Sequence, residues 1–292
     1  LLDGLMSDFG PLIDAETLSR EIASEDLKVL DASWHLPTAE RDALAEYGEA
    51  HIPGAVFFDV DGVSDAANPL PHMLPSEGAF GEAMGRLGVS NSDRVVVYDS
   101  VGVFSAPRVW WMLKAFGHDR AAVLDGGLPA WRAAGGAVEA GSVATPSATF
   151  EAKLRTDLVA DAKAVLAQTQ SGEGVVLDAR PAARFQGEAP EPRPGLRSGH
   201  IPGSKNAPYT EFVSEGRMLT GAALDAQFEA AGLSLAGSDG RVTVSCGSGV
   251  SAAVLFLGLD LLGRRDVRLY DGSWADWGGR DDLPVATGPA DH

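Results

Sequence analysis

An internal repeat is the feature of this sequence that most restricts its fold. Four short segments of the first half recur in the same order in the second half, each about 147 residues later. The matching pairs are 29–32 with 176–179, 51–54 with 200–203, 94–99 with 241–246, and 124–127 with 270–273. Repetition in one order at nearly one spacing indicates a duplicated domain. We therefore predict two tandem domains, over residues 6–138 and 156–288, joined by a linker at 139–155.

Each half alternates between short β-branched runs and segments of helical composition. The strand-like runs are residues 28–31, 95–99 and 121–124 in the first half, and 175–178, 242–246 and 267–270 in the second. A helix is predicted over 76–87, with Ser76 as its N-cap and Gly88 after its end, and another over 220–231. Alternating strands and helices are typical of parallel sheets that are buried on both sides. We predict an α/β fold in which each domain has a mainly parallel central sheet with helices on both faces.

Composition excludes several classes of function. A formal net charge of -18 disfavours nucleic acid and anionic membranes as partners, because both would be repelled. A single cysteine cannot form an internal disulfide, and the six histidines show no metal-ligand spacing. Residues 1–10 do not resemble a targeting segment, and no apolar run approaches the roughly 20 residues of a membrane span. We predict a cytoplasmic protein with no metal and no organic cofactor.

The only cysteine, Cys246, lies where a predicted strand ends and a helix over 250–262 follows. Ligands of open α/β sheets bind beyond the carboxyl ends of the strands, where helix N-termini present free amides. Gly247 and Gly249 allow successive amides to converge on one point, and such a group of amides stabilises a thiolate. The first half has Asp99 at the matching position. We therefore expect a reactive thiol in the second half only.

Three chemistries are compatible with such a turn. Phosphate ester hydrolysis through a Cys-X5-Arg loop needs an arginine at position 252, which is Ala252. Dinucleotide binding fits a loose pattern of Gly247, Gly249 and Ala252 after a strand, but the matching turn in the first half lacks it. Sulfur transfer would use the thiolate to carry a second sulfur as a persulfide.

The duplicated domain, the loop from Cys246 to Ser251 and the segment from Arg184 to Arg193 together resemble the two-domain rhodanese-type sulfurtransferases. Within that family they look most like the branch that uses 3-mercaptopyruvate. The loop Cys-Gly-Ser-Gly-Val is specific to this branch, whereas thiosulfate-preferring members carry basic side chains there. Ser251 stands where the family usually has Thr, and it keeps the hydroxyl. The resemblance covers roughly residues 12–284 and implies two tandem rhodanese-like domains.

The resemblance also implies roles for individual residues. Arg184 and Arg193 would bind the donor carboxylate, since a guanidinium fork matches its geometry. Ser248, His72 and Asp61 would form a relay that polarises the donor or manages its proton. Two outcomes stay open for Arg108, which either lines the cleft or pairs with an acid at the domain interface. The residues expected to contact the donor or its sulfur through the loop are Gly247, Gly249, Val250 and Ser251.

The predicted reaction moves sulfur from 3-mercaptopyruvate to Cys246 and releases pyruvate. The persulfide then passes its outer sulfur to a thiol, such as that of thioredoxin, or to cyanide. Two alternatives remain at this point. One is a thiosulfate:cyanide sulfurtransferase, and the other is a non-catalytic carrier that is loaded with persulfide by a partner protein.

Overall fold

Two five-stranded parallel sheets, one in each half, organise the chain in the computed structural model, which describes residues 9–234 and 240–290. The elements of the first half are β1 (Leu12–Ile13), α1 (Ala15–Glu21), β2 (Leu27–Asp31), α2 (Ala43–Glu49), β3 (Val56–Phe57), α3 (Glu77–Arg86), β4 (Arg94–Tyr98), α4 (Ala106–Ala115), β5 (Ala121–Leu124) and α5 (Gly127–Ala133). The strand order is β1-β5-β4-β2-β3, and all the pairings are parallel.

The second half repeats this arrangement. Its elements are β6 (Val159–Ala160), α6 (Ala162–Ser171), β7 (Val175–Asp178), α7 (Ala182–Phe185), β8 (Lys205–Asn206), β9 (Val213–Ser214), β10 (Arg217–Met218), α8 (Gly221–Ala230), β11 (Val242–Ser245), α9 (Ala252–Leu261), β12 (Val267–Tyr270) and α10 (Ser273–Trp277). The sheet order is β6-β12-β11-β7-β8, while β9 and β10 form a separate antiparallel hairpin. The predicted pair of parallel sheets is confirmed.

Both faces of each sheet are covered, because successive residues of a strand point to opposite sides. Val95 and Val97 of β4 belong to one apolar cluster, and Val96 and Tyr98 belong to another. In the second half Leu177 and Val176 of β7 are divided in the same way. This explains why the central strands are continuous apolar runs rather than alternating ones.

Local signals in the sequence set several helix ends. The Ser76 hydroxyl accepts a hydrogen bond from the Ala79 amide at 3.2 Å and begins α3, as predicted, and Gly88 follows its end with a φ of 76°. Asp161 caps α6 through the Ala164 amide at 2.8 Å, and the left-handed Gly172 ends it. Helix α9 begins at Ala252, two residues later than predicted.

The inner faces of the two sheets share one apolar core. Helices α4 and α9, which each follow the central strand of a sheet, pack against one another across the domain boundary. The rings of Trp110 and Phe256 are 6.1 Å apart there, and Lys114 Nζ lies 3.1 Å from Asp260 Oδ1. The two domains are thereby fixed face to face, so that loops of one reach the sheet end of the other.

The segment predicted as a linker runs along the first domain. Glu139 pairs with His51 in an antiparallel bridge, and the Ala148 amide donates to the carbonyl of Gly85 in α3 at 2.9 Å. The boundaries at 6–138, 139–155 and 156–288 stay predictions.

Candidate active site

Cys246 directly follows β11 at the carboxyl end of the second sheet, and only five residues separate it from α9. Its side chain is buried, with 2% of the residue exposed. Helix α10 holds the backbone of this turn, because the Cys246 and Gly247 carbonyls accept from the Trp274 and Ala275 amides at 2.9 Å each. The Cys246 amide donates to Ser273 Oγ at 3.2 Å. The thiol is therefore held on a rigid turn at the position that the sequence predicted.

The loop that follows the thiol, residues 247–251, presents unused amides. Within residues 9–234 and 240–290, the amides of Gly247, Ser248, Gly249, Val250 and Ser251 find no hydrogen-bond acceptor. Val250 is buried in the core, and Ser251 is half-buried at the N-cap of α9. Unpaired amides at a helix N-terminus favour a negative charge.

Asp99 shows what the matching loop of the first domain does with an anion. Its carboxylate is fully buried and accepts five backbone hydrogen bonds, from the amides of Val101, Gly102, Phe104, Ser105 and Ala106 at 2.8 to 3.1 Å. Burial raises the pKa of Asp99, and the amides oppose that shift. In the first domain a carboxylate of the same loop accepts hydrogen bonds from these amides, whereas the second domain has a thiol at the matching position.

Three predicted residues from both domains form a chain of hydrogen bonds. His72 Nδ1 lies 3.0 Å from Ser248 Oγ, and His72 Nε2 lies 2.8 Å from Asp61 Oδ1. The His72 backbone has a φ of 61°, in the left-handed region, and its ring meets Trp34 edge to face at 4.9 Å. The structure therefore brings Ser248, His72 and Asp61 together in the order of a Ser-His-Asp relay.

Asp61 ends this chain on the solvent side, with 68% of its side chain exposed. The hydrogen bond with His72 lowers the pKa of Asp61 below its ordinary value, and the bond from Trp34 Nε1 acts in the same direction. An ionised Asp61 accepts the hydrogen bond of the His72 Nε2–H group and so holds the ring in place. Trp34 was missed by the sequence reasoning, and nothing in its sequence context marks it as part of a site.

The two predicted arginines, Arg184 and Arg193, differ in whether their guanidinium groups are paired with a carboxylate. Arg184 gives its Nε and Nη2 groups to the carboxylate of Glu191, with Nε at 3.2 Å from Oε1. Its Nη2 also lies 3.1 Å from the place that a Cβ on Gly247 would occupy. Arg193 has no carboxylate within salt-bridge distance in the described part of the chain. Only Arg193 therefore keeps its guanidinium fork open for a ligand.

Arg193 interacts electrostatically with Cys246. Burial lowers the pKa of Arg193, and the positive charge of Arg184 acts in the same direction, while Cys246, Asp61 and Glu191 oppose the shift. Because an arginine stays protonated throughout the usual pH range, Arg193 supplies a permanent positive charge near Cys246.

Glu191 and Arg180 hold this side of the site, and sequence reasoning missed both. Glu191 is buried, with 2% of its side chain exposed, and it accepts from Arg180 Nη1 at 2.8 Å as well as from Arg184. Arg180 is also paired with Asp178 at 2.6 Å and stacks on the Trp274 ring. The available signal was the run from Glu188 to Arg193, in which Glu191 lies between two prolines.

Two outcomes were open for Arg108, lining the donor cleft or pairing with an acid, and the structure shows the pairing. Arg108 is fully buried, and its Nη1 lies 2.8 Å from Asp271 Oδ1. Its Nη2 donates to the His72 carbonyl, and its guanidinium stacks on Trp111 at 4.7 Å. Arg108 therefore fastens the His72 loop to the second domain from behind the cleft, which was the other outcome considered for it.

Gly249 shows how closely Arg108 packs against the loop of residues 247–251. The φ of Gly249 is 78°, and a Cβ there would lie 2.8 Å from Arg108 Nη1 and 3.1 Å from the Asp271 carbonyl. Only glycine satisfies both the backbone angle and this contact. The predicted role of Gly249 in shaping the loop thus has a specific steric cause.

Two further features, a metal-binding cluster and a membrane-spanning helix, can be checked in the described residues. Residues 9–234 and 240–290 contain no group of three or more His, Cys, Asp or Glu side chains that could hold a metal ion. None of the helices described has the length and apolar character needed to cross a bilayer.

Comparison with known proteins places both halves in one family. Residues 14–134 and 161–280 each match the Rhodanese-like domain. The 3-mercaptopyruvate sulfurtransferase of Escherichia coli K12 is 45% identical over 274 residues, which cover 94% of this chain and 96% of the relative. The mitochondrial thiosulfate/3-mercaptopyruvate sulfurtransferase 1 of Arabidopsis thaliana is 44% identical over 298 residues, which cover 94% of this chain and 78% of the relative. The crystal structure of SseA from Escherichia coli superposes with a TM-score of 0.83 at 42% identity, covering 91% of this chain and 99% of that one.

Proposed function

Since both halves match the same domain, the chain belongs to the rhodanese-like family, and we propose that it is a sulfurtransferase that takes its sulfur from 3-mercaptopyruvate. The sulfur is carried as a persulfide on Cys246 and passed to a thiol or to cyanide. The observation that carries this proposal is the convergence of a strand-end thiol, a loop of unpartnered amides and the chain Ser248–His72–Asp61 in one cleft.

In the first half-reaction the Cys246 thiolate attacks the sulfur of 3-mercaptopyruvate. The new S–S bond forms as the C–S bond of the donor breaks. The electron pair of the C–S bond leaves with the carbon fragment, which is the enolate of pyruvate. The enolate then takes up a proton. Arg193, with its open fork, binds the donor carboxylate, and Arg184 contributes the N–H groups that Glu191 leaves free. The amides of 247–251 stabilise the persulfide anion, as an oxyanion hole stabilises developing charge.

The relay acts on the carbonyl group of the donor. When His72 is protonated, both ring nitrogens are donors, one toward Asp61 and one toward Ser248. The Ser248 hydroxyl is then free to donate to the carbonyl oxygen and to stabilise the enolate. In the second half-reaction an acceptor thiolate or cyanide attacks the outer sulfur, and the Cys246 thiolate is regenerated.

The composition of the loop favours 3-mercaptopyruvate over thiosulfate as the sulfur donor. Residues 247–251 carry no cationic side chain, whereas thiosulfate brings two negative charges to the sulfur that is attacked. The name of the Arabidopsis relative includes both donors, so thiosulfate is the second candidate. Thioredoxin or cyanide as acceptor, and a cytoplasmic location, are further parts of this proposal.

The test is to mix the protein with 3-mercaptopyruvate and to measure pyruvate together with the mass of the protein. We expect pyruvate and an added mass of about one sulfur atom on Cys246, with both absent in Cys246→Ser. Comparing 3-mercaptopyruvate with thiosulfate at equal concentration decides between the two donors. A persulfide that forms only when a partner protein loads it, with no turnover of either donor, would indicate the non-catalytic carrier.

A further inference from the structure

The buried carboxylate of Glu191 lies between two arginines of the site, and the mechanism above does not use it. It accepts from Arg180 Nη1 at 2.8 Å and from Arg184 Nε at 3.2 Å. Asp178, also buried, accepts from the Arg180 Nη2 group at 2.6 Å. Two cations and two anions therefore cancel in this cluster, which extends from the end of β7 to the edge of the catalytic loop.

Among the described residues, Arg193 is then the arginine near the thiol that has no salt-bridge partner. Coulombic interactions are strong in such a place, because the partners are buried or half-buried and water screens them little. A donor with one negative charge, such as the carboxylate of 3-mercaptopyruvate, matches one cation. A donor with two negative charges, such as thiosulfate, is left with one charge unpaired.

We propose that Glu191 determines donor selectivity: by neutralising Arg184 it limits the cleft to one effective positive charge and so favours a monoanionic over a dianionic sulfur donor. The proposal rests on the proposed function, and it concerns charge rather than shape. Glu191 does not touch the donor. It acts through Arg184, whose Nη2 lies against Gly247 of the loop.

The direct test is Glu191→Gln, which keeps the size of the side chain and one acceptor oxygen but removes the charge. For each donor, kcat/KM is measured with cyanide as the common acceptor, by pyruvate release from 3-mercaptopyruvate and by sulfite release from thiosulfate. We expect the thiosulfate to 3-mercaptopyruvate ratio of kcat/KM to rise at least about tenfold, which corresponds to about 1.4 kcal/mol. The change should shrink as ionic strength increases, because salt screens charge.

Two control variants separate charge from position. Glu188→Gln removes the same charge from an exposed position three residues away, and the ratio is expected to stay as in the wild type. Glu191→Asp keeps the charge but shortens the side chain, so it should alter kcat/KM for both donors alike. An unchanged ratio in Glu191→Gln, or the same ratio in Glu191→Gln and Glu191→Asp, would overturn the proposal.

A second variant covers the case in which Glu191→Gln does not fold. Asp178→Asn removes the other buried anion of the cluster without touching Arg184, and it should also raise the ratio. No change there would count against the charge argument. A wild-type protein that releases no pyruvate from 3-mercaptopyruvate would instead refute the proposed function itself, so the two failures are distinguishable.

Discussion

Asp99 and Cys246 occupy the same place in the two domains, each directly after the central strand of its sheet. The carboxylate of Asp99 is wrapped by five amides of its own loop, while the amides after Cys246 have no acceptor in the described part of the chain. One loop is therefore closed by an internal anion, and the other is open to an anion that arrives with the donor. Duplication has produced a structural copy and a reactive copy of the same turn.

Asp99→Asn should destabilise the protein by about 2–4 kcal/mol. The amide nitrogen of asparagine would face backbone donors in place of an acceptor oxygen, and several buried N–H groups would lose their partner. Urea unfolding measures the change. Asp225→Asn, on the exposed face of α8, is the matched control and should stay within about 0.5 kcal/mol of the wild type. An equally small change in Asp99→Asn would contradict the role assigned to these hydrogen bonds.

Gly249→Ala should lose both stability and activity. Its φ of 78° costs a non-glycine residue about 1–2 kcal/mol, and the new Cβ would also press on Arg108. Gly203 has nearly the same φ, 77°, and open space around it, so Gly203→Ala measures the backbone cost alone. Thermal unfolding and pyruvate release should show the larger loss for Gly249→Ala and full activity for Gly203→Ala. Equal effects of the two variants would refute the steric argument.

Arg108→Met should destabilise the protein by about 3–5 kcal/mol, because it leaves Asp271 as an unpaired buried charge. Combining it with Asp271→Asn should recover part of the loss, since the stranded charge is then removed as well. A double-mutant cycle in urea measures the coupling between the two residues. A variant of full stability with a raised KM would instead place Arg108 in the donor cleft.

Arg193→Gln should raise the KM for 3-mercaptopyruvate about ten- to a hundredfold, as expected for the loss of a charge-assisted hydrogen bond. Arg184→Gln should have a smaller effect on KM, because Glu191 already occupies two of its donor groups. Steady-state kinetics of pyruvate release provide both values. The reverse order of the two effects would show that Arg184 is the main carboxylate ligand.

Asp61→Asn should change how stability depends on pH. Because the bond with His72 lowers the folded-state pKa of Asp61, this residue stabilises the fold above the ordinary carboxyl pKa of about 3.9 and loses that effect as the pH falls through the lowered value. The difference in Tm between the wild type and Asp61→Asn should shrink as the pH falls below about 4. A difference that disappears between pH 5 and 7 would assign the titration to another group.

The sequence predicted the fold because its signals are local and repeated. The apolar runs that became β4 and β11 are buried on both faces, and this requirement is readable from composition alone. The position of Cys246 followed from the rule that sites lie at the carboxyl ends of strands. These inferences needed no information on how the two halves meet.

The residues of the site were harder to predict from the sequence, because they are far apart along the chain. His72 and Ser248 are 176 positions apart, and only the family resemblance connected them. The burial of Arg108 depends on Asp271 in the other domain, which no local pattern shows. The sequence gives no sign that Glu191 is buried, since an acid beside arginines is usually exposed. Its burial under Arg180 and Arg184 appears only in three dimensions.

The apolar core shared by the two sheets has a consequence for any attempt to separate them. Helix α9, which carries the loop of Cys246 at its start, is buried from Ala252 to Asp260, and part of that cover comes from α4 of the other half. A fragment that begins at residue 156 would expose this apolar surface to water, and we expect it to aggregate. The half that carries the thiol therefore needs the half without one, because α4 shields part of the apolar surface of α9 from water.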